Sequence, residues 1–297
     1  MQEGKTMKKI FIFISVVVAL FVMCVVFACE QPYISEGEES AKGNLRVSVF
    51  QIEKTPFASL SRAEQAAREV CGRLNFAVYN MEGTRLKQVN QTSDEVNFGS
   101  CSFQLEEGTY QVVVLGHSSN GNPTMTDPTC IKFTNAQGYT DTFLCNGVVE
   151  IGDEEVDYEV SLDRIVSLCR FVVNDDFPAD VKKMRFYYTG GSGAFDANTG
   201  LGCVNSKQEM KFDVVAGQKQ FDLYTFLHDM EGSIHLTVTA LDVNGNELFM
   251  REFDVPMQQN QITWLSGDFF NGSGSSVTTF AGVTVNTEWA GETHLTF

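Results

Sequence analysis

The chain has 297 residues, with 38 acidic against 21 basic side chains and a formal net charge of −17 at pH 7. A surface this acidic repels phosphate backbones and anionic headgroups, which argues against nucleic acid as a partner. The length allows two cores of ordinary size.

Residues 7–30, MKKIFIFISVVVALFVMCVVFACE, begin with the positive pair Lys8 and Lys9 and continue as an apolar run from Ile10 to Ala28. That order is a bacterial export signal, and it closes on a cysteine. Val26-Phe27-Ala28-Cys29 resembles the lipobox of bacterial lipoproteins, which implies cleavage before Cys29 and acylation of that residue. Two alternatives stay open. The 19 residues from Ile10 to Ala28 are close to the ~20 that span a bilayer, and Cys24 also follows a run of apolar residues. Residues 1–28 carry Lys5, Lys8 and Lys9 against Glu3, a net +2, so their removal leaves 269 residues with a charge of −19. Residues 29–44 are polar and acidic, with too little to bury against the entropy of ordering, and read as a tether.

Leu45, Val47 and Val49 alternate with Arg46, Ser48 and Phe50 in the two-residue period of a first strand. Ala63, Ala66, Ala67 and Val70 stand at helical spacing and predict a short helix within Ser59 to Cys71. Leu74, Phe76 and Val78 restore the strand period, Glu82-Gly83 turns the chain, and Arg85 to Asn90 return. Leu105-x-x-Gly108-x-Tyr110-x-Val112-x-Val114 predicts a tight hairpin whose second strand fills a core. Further strands fit Cys130 to Phe133, Thr140 to Cys145 and Val156 to Leu162, giving an antiparallel meander suited to a sandwich.

A second core starts near Asp163, where Ile165 to Val173 (IVSLCRFVV) is long enough to cross a sheet. Strands are expected at Val181–Tyr188, Lys211–Val215, Phe221–Phe226, Ile234–Asp242 and Glu247–Val255, with Asn244-Gly245 as a type I′ hairpin turn. Gly190 to Gly202 reads as a flexible loop. After Asn260-x-Ile262-Thr263-x-Leu265-x-Gly267-Asp268-Phe269-Phe270, a Gly/Ser loop leads to strands around Val283, Val285 and Trp289 and an apolar close at Leu295 and Phe297. Such an ending belongs inside or beside a sheet.

The sequence carries no recognisable catalytic pattern. His117, His228, His235 and His294 share no metal-ligand spacing and are expected on loops or strand surfaces. Gly190-Gly191-Ser192-Gly193 breaks the nucleophile-elbow pattern, and Asp196-x-Asn198-x-Gly200 lacks the further ligands of a calcium loop. Neither a metal site nor a cofactor is expected. A pair of glycosidase carboxylates is defined in space and stays open. Trp264 and Trp289 fit either core packing or a sugar platform. Six cysteines follow Cys29, namely Cys71, Cys101, Cys130, Cys145, Cys169 and Cys203, with no C-x-x-C pair. Buried thiols and bridges both fit, and six cysteines allow 15 pairings.

Taken together, Cys29, the Leu105-to-Val114 segment, the Leu162-x-Arg164-x-Val166 junction and the Asn260-to-Phe270 segment before Trp289 resemble the fimbrillin superfamily of Bacteroidetes, specifically its FimB-like lipoprotein anchors and accessory subunits. The resemblance implies an all-β chain of two tandem transthyretin-like antiparallel β-sandwiches with few short helices. The domains would cover 45–161 and 162–297, behind a signal at 1–28 and a tether at 29–44. It further implies a non-enzymatic subunit, held by lipid at the cell outer membrane and in a fimbrium, whose partners are fimbrillin stalk subunits joined by β-strand exchange. The strand-exchange candidates are Leu45, Val47 and Val49 at one end and Val283, Val285 and Trp289 at the other. In stalk subunits an Arg-specific protease cuts near the N-terminus. Here Cys29 to Leu45 holds no Arg, so Arg46 is the first candidate for a cut, with an outward-facing strand residue as its plainer reading. The competing function is a surface lipoprotein that binds glycan or another host ligand.

Overall fold

A computed structural model describes residues 43–54, 63–65, 67–134, 139–271, 278–280 and 291–297. The export signal, Cys29, the tether up to residue 42 and the candidates Val283, Val285 and Trp289 lie outside the described residues. The protein is all-β. Among the described residues the one helix is α1, Ala67–Val70, a single turn where a longer one was expected, and Ala63–Gln65 before it is strand.

The first half contributes β1 Leu45–Lys54, β2 Ala63–Gln65, β3 Arg73–Asn80, β4 Arg85–Thr92, β5 Ser100–Phe103, β6 Gly108–His117, β7 Ile131–Lys132, β8 Thr142–Ile151 and β9 Val156–Arg164. β1 lies between β5, antiparallel, and β9, parallel, with β2 on its far end. The other layer runs β4-β3-β6-β8, all antiparallel. Period-2 alternation turns Leu45 and Val47 from one layer and Phe76, Val78, Val112 and Val114 from the other into a shared dry core.

The second half contributes β10 Ser167–Val173, β11 Lys183–Gly191, β12 Ala194–Asp196, β13 Leu201–Gly202, β14 Ser206–Asp213, β15 Gln220–Thr225, β16 Glu231–Leu241, β17 Glu247–Gln258, β18 Gln261–Gly267, β19 Thr278–Phe280 and β20 Gly291–Thr296. Its main pairings repeat those of the first half, while the β1-β2 and β8-β9 pairs have no counterpart among the described residues. β10 lies between β15, antiparallel, and β18, parallel, and the second layer runs β14-β11-β16-β17. Here β18 gains a further neighbour, β20, laid parallel to it, with β19 outside. The core is rich in aromatic rings, with Phe171 touching Phe186, Phe253, Phe269 and Phe297.

These parallel pairs correct the expected antiparallel meander. The opening strand of each half lies beside a strand from late in the same half, β1 beside β9 and β10 beside β18, and each pair runs in the same direction. The Leu105-to-Val114 hairpin is corrected as well. β5 pairs with β1 while β6 pairs with β3 and β8, so the turn is an arch between layers. What the motif does build is a corner. Tyr110 Oη donates to the Glu106 carbonyl at 2.9 Å, and Gly108 adopts φ +155°, a conformation that side-chain-bearing residues rarely take. Tyr110→Phe keeps the ring and loses this bond, and should lower stability by about 1 kcal/mol in urea unfolding.

The Asn244-Gly245 turn also differs from its expected type I′ form. Gly245 alone has positive φ, and its N–H bonds the Asp242 carbonyl at 3.2 Å. The carboxylate of Asp242 accepts from Asn244 and Asn246 N–H, which favours a three-residue turn ending on Gly. Asn80 and Gly83 build the same turn in the first half.

Gly190 to Gly202 is not a loose loop. Within it β12 pairs with β13 and also with β7 of the first half, forming a three-stranded sheet between the halves. Phe195 is fully buried there, in a third core with Ile131, Phe133, Tyr139, Phe226 and Ile262. Residues 42–297 thus cluster as one compact unit.

Candidate strand-accepting edge and the junction between the halves

The Leu162-x-Arg164-x-Val166 and Asn260 motifs meet in space. Leu162 fills the first core and Val166 the third. Between them the Arg164 guanidinium, 1% exposed, forks onto Asp141 at 2.6 and 2.8 Å and reaches Asn260 Oδ1 at 3.3 Å. Asn260 adopts φ +57°, a conformation that Asn tolerates better than most residues, and donates its N–H to Val166 O at 3.0 Å. Gln259 adds bonds to Ile165 O and Gly200 O. The junction is therefore an ordered polar knot.

From Asn260 the chain enters β18, whose free edge β20 fills. Main-chain register runs from Gln261 opposite Gly291 to Ser266 opposite Thr296. Leu295 is fully buried in the second core, and Phe297 stacks on Phe171 with centroids 5.1 Å apart. Gly267 is required at this point, because a Cβ there would lie 2.0 Å from Phe297 O. Side chains form a ladder across four strands. Asp222 on β15 holds Arg170 on β10 by two 2.8 Å bonds, Arg170 lies 4.9 Å from the Trp264 ring, and His294 on β20 stacks on that ring at 5.6 Å. Trp264 Nε1 donates to Glu292 Oε2 at 2.9 Å, fixing the register of β20. β10 and β20 flank β18, so the indole carries a cation on one side and an imidazole on the other, and offers no open face to a sugar.

The equivalent edge in the first half is β9. It meets β8 over two residue pairs, Phe143 with Arg164 and Leu144 with Asp163. Along the rest, Asp157 and Glu159 project outward and exposed, the charge guard that keeps an edge from pairing. β18 carries no charged residue at all.

On the N-terminal side, Leu45 and Val47 are fully buried and Val49 is half-buried, all on a strand paired along both sides. Arg46 is exposed, opposite Ser102 and Asp157. The described strand-exchange candidates therefore fill the first core, and sequence reasoning missed the β18 seam, whose signal was the uncharged run Gln261–Gly267.

The histidines need one correction, since His117 is fully buried at the end of β6. Ser119 N–H donates to its Nδ1 at 3.1 Å, so Nε2 carries the proton and donates to Asn75 Oδ1 at 2.8 Å. Burial, with the Arg73 charge second, pushes its pKa from 6.5 down to about 4. The unfolded chain binds this proton first, so stability is whole above pH 6.5 and falls as pH drops toward 4, by up to about 3 kcal/mol. Urea unfolding across this range should show that loss, and His117→Gln should remove this component. Among the described residues no group of three or more His, Cys, Asp or Glu could hold a metal ion. Asp196 Oδ1 accepts from the N–H and the side-chain amide of Asn198, and its backbone carbonyl accepts from Gly200 N–H, so the residue caps its own turn.

A family model described as "Family of unknown function (DUF6562)" matches residues 38–296. No curated protein matches the chain. Among solved structures, a candidate adhesin from Bacteroides ovatus is 13% identical with a TM-score of 0.47, the match covering 76% of this chain and 87% of that one. The fimbrial anchor protein Mfa2 from Porphyromonas gingivalis is 12% identical with a TM-score of 0.42, covering 70% and 80%. A fimbrial assembly protein from Parabacteroides distasonis is 12% identical with a TM-score of 0.40, covering 79% and 93%.

Proposed function

The chain belongs to the DUF6562 family of unknown function, and from that premise we propose that it is a lipid-anchored fimbrial subunit, an anchor or accessory component that joins fimbrillins by β-strand exchange. One observation carries the reading. Of two topologically equivalent edges, β9 is guarded by acids while β18 is uncharged and already completed by an added strand through main-chain bonds. β18 is the acceptor, and β20 occupies it until a partner's strand displaces it. The sequence motifs supply the rest: Cys29 holds lipid in the outer membrane, residues 29–44 tether, and two sandwich domains follow.

β1 plays the complementary part, since Leu45, Val47 and Val49 close the first core from the anchored end. Arg46 stays uncut, because a protease needs an extended segment free of its ladder and β1 is paired on both sides. The lipid is therefore retained and the chain stays at the base of its fibre. The glycan reading has less support, because both sides of the Trp264 indole are taken.

Metabolic labelling with palmitate tests the anchor, and co-purification with a stalk fimbrillin from the outer-membrane fraction tests the assembly. Label on the wild type that disappears in Cys29→Ala, together with a stoichiometric complex, is expected. Label that persists in Cys29→Ala, or a fimbrillin that never co-purifies, would overturn the proposal.

A further inference from the structure

Cys130 and Cys203 stand 73 positions apart in sequence, yet their Sγ atoms lie 2.9 Å from each other. Their placement follows from the sheet between the halves. Cys130 immediately precedes β7, whose Ile131 pairs with Phe195, and Cys203 immediately follows β13, whose Gly202 pairs with the same Phe195. Both backbones are fixed, by Cys130 N–H on Asp127 O at 3.2 Å and Cys203 N–H on Ala194 O at 3.1 Å. Cys130 is half-buried and Cys203 exposed, so an oxidant can reach the pair. Two sulfurs at this separation need about 0.9 Å more approach to reach the ~2.05 Å of a bond.

We infer that Cys130 and Cys203 form a disulfide that staples the first half of the chain to the second across the β7-β12-β13 sheet. The two thiols lose two protons and two electrons as the sulfur–sulfur bond forms. A disulfide of the exchanging kind, carried by an envelope thiol–disulfide oxidoreductase or by oxidised glutathione, accepts them and leaves as two thiols. Closing so long a segment removes much freedom from the opened chain. It also gives the halves a second covalent link, remote in sequence from the Arg164 junction, so that a pull along the molecule cannot open the third core without breaking a bond. This holds whether or not the chain builds a fimbria.

The test uses the full chain in detergent, treated with oxidised glutathione at pH 8, then alkylated, digested and mapped by mass spectrometry. The expected product is one linked peptide joining Cys130 to Cys203, lighter by two hydrogens than the sum of its halves. In Cys203→Ser the link disappears and Cys130 is alkylated. Amide exchange at Phe195 should slow at least tenfold on oxidation. Both cysteines fully alkylated, glutathione adducts in place of the link, or either cysteine bridged elsewhere would overturn the inference. Unchanged exchange at Phe195 in the linked protein would overturn the stapling role.

Discussion

Trimming Gly291–Phe297 should cost the second sandwich about 5 kcal/mol and leave it binding a hydrophobic dye. Leu295 is fully buried, and a leucine truncated to alanine in such a place typically costs about 3 kcal/mol by itself. Phe297 adds its contacts with Phe171 and Phe253, whose ring centroids lie 5.1 and 4.8 Å away. Glu292 and the Trp264 indole lose each other as well. Small domains hold about 5–15 kcal/mol in total, so the loss would populate an opened form. Urea unfolding with dye fluorescence reads both effects. Leu295→Ala should reproduce about 3 kcal/mol of it, and exposed Thr296→Ala should stay within about 0.5 kcal/mol of wild type.

Arg164→Met should cost about 3 kcal/mol and loosen the junction. The guanidinium is buried and forked onto Asp141, whose side chain is 28% exposed, so its removal strands a carboxylate in a site built for a cation. The Phe143 ring, 4.9 Å from the guanidinium carbon, loses a cation–π neighbour. Adding Asp141→Leu should recover part of the loss, because the stranded charge leaves with it. A double-mutant cycle by chemical unfolding measures that coupling, and strict additivity of the two changes would argue against the paired role.

Local pattern carried much of the fold. The alternation at Leu45–Val49, Leu74–Val78 and Tyr110–Val114 lies on strands β1, β3 and β6, and the apolar run at Ile165–Val173 leads into β10. Partner choice was hidden, because it is set between residues far apart. Leu45 opposite Val156 and Leu168 opposite Ile262 are parallel contacts that no local period encodes. Hence the repeated topology of the halves was invisible. Gly190 to Gly202 misled through composition, since its glycines signal a loop while Phe195 finds its place only when Ile131 arrives from the other half. Asn244-Gly245 misled because Asp242 draws the N–H groups of Asn244 and Asn246 onto its carboxylate and changes the turn. The junction motif was legible as a position, but its meaning needed Asp141 and Asn260 beside Arg164.

Hydrogen exchange on β20, with and without a stalk fimbrillin, tests the strand-accepting edge most directly. In the free chain the amides of Gly291–Thr296 should be protected by their pairing with β18. In the complex they should exchange at least a hundredfold faster while Gln261–Gly267 stays protected, because an arriving strand takes over the same bonds. A stable complex in which β20 remains as protected as in the free chain would contradict the account.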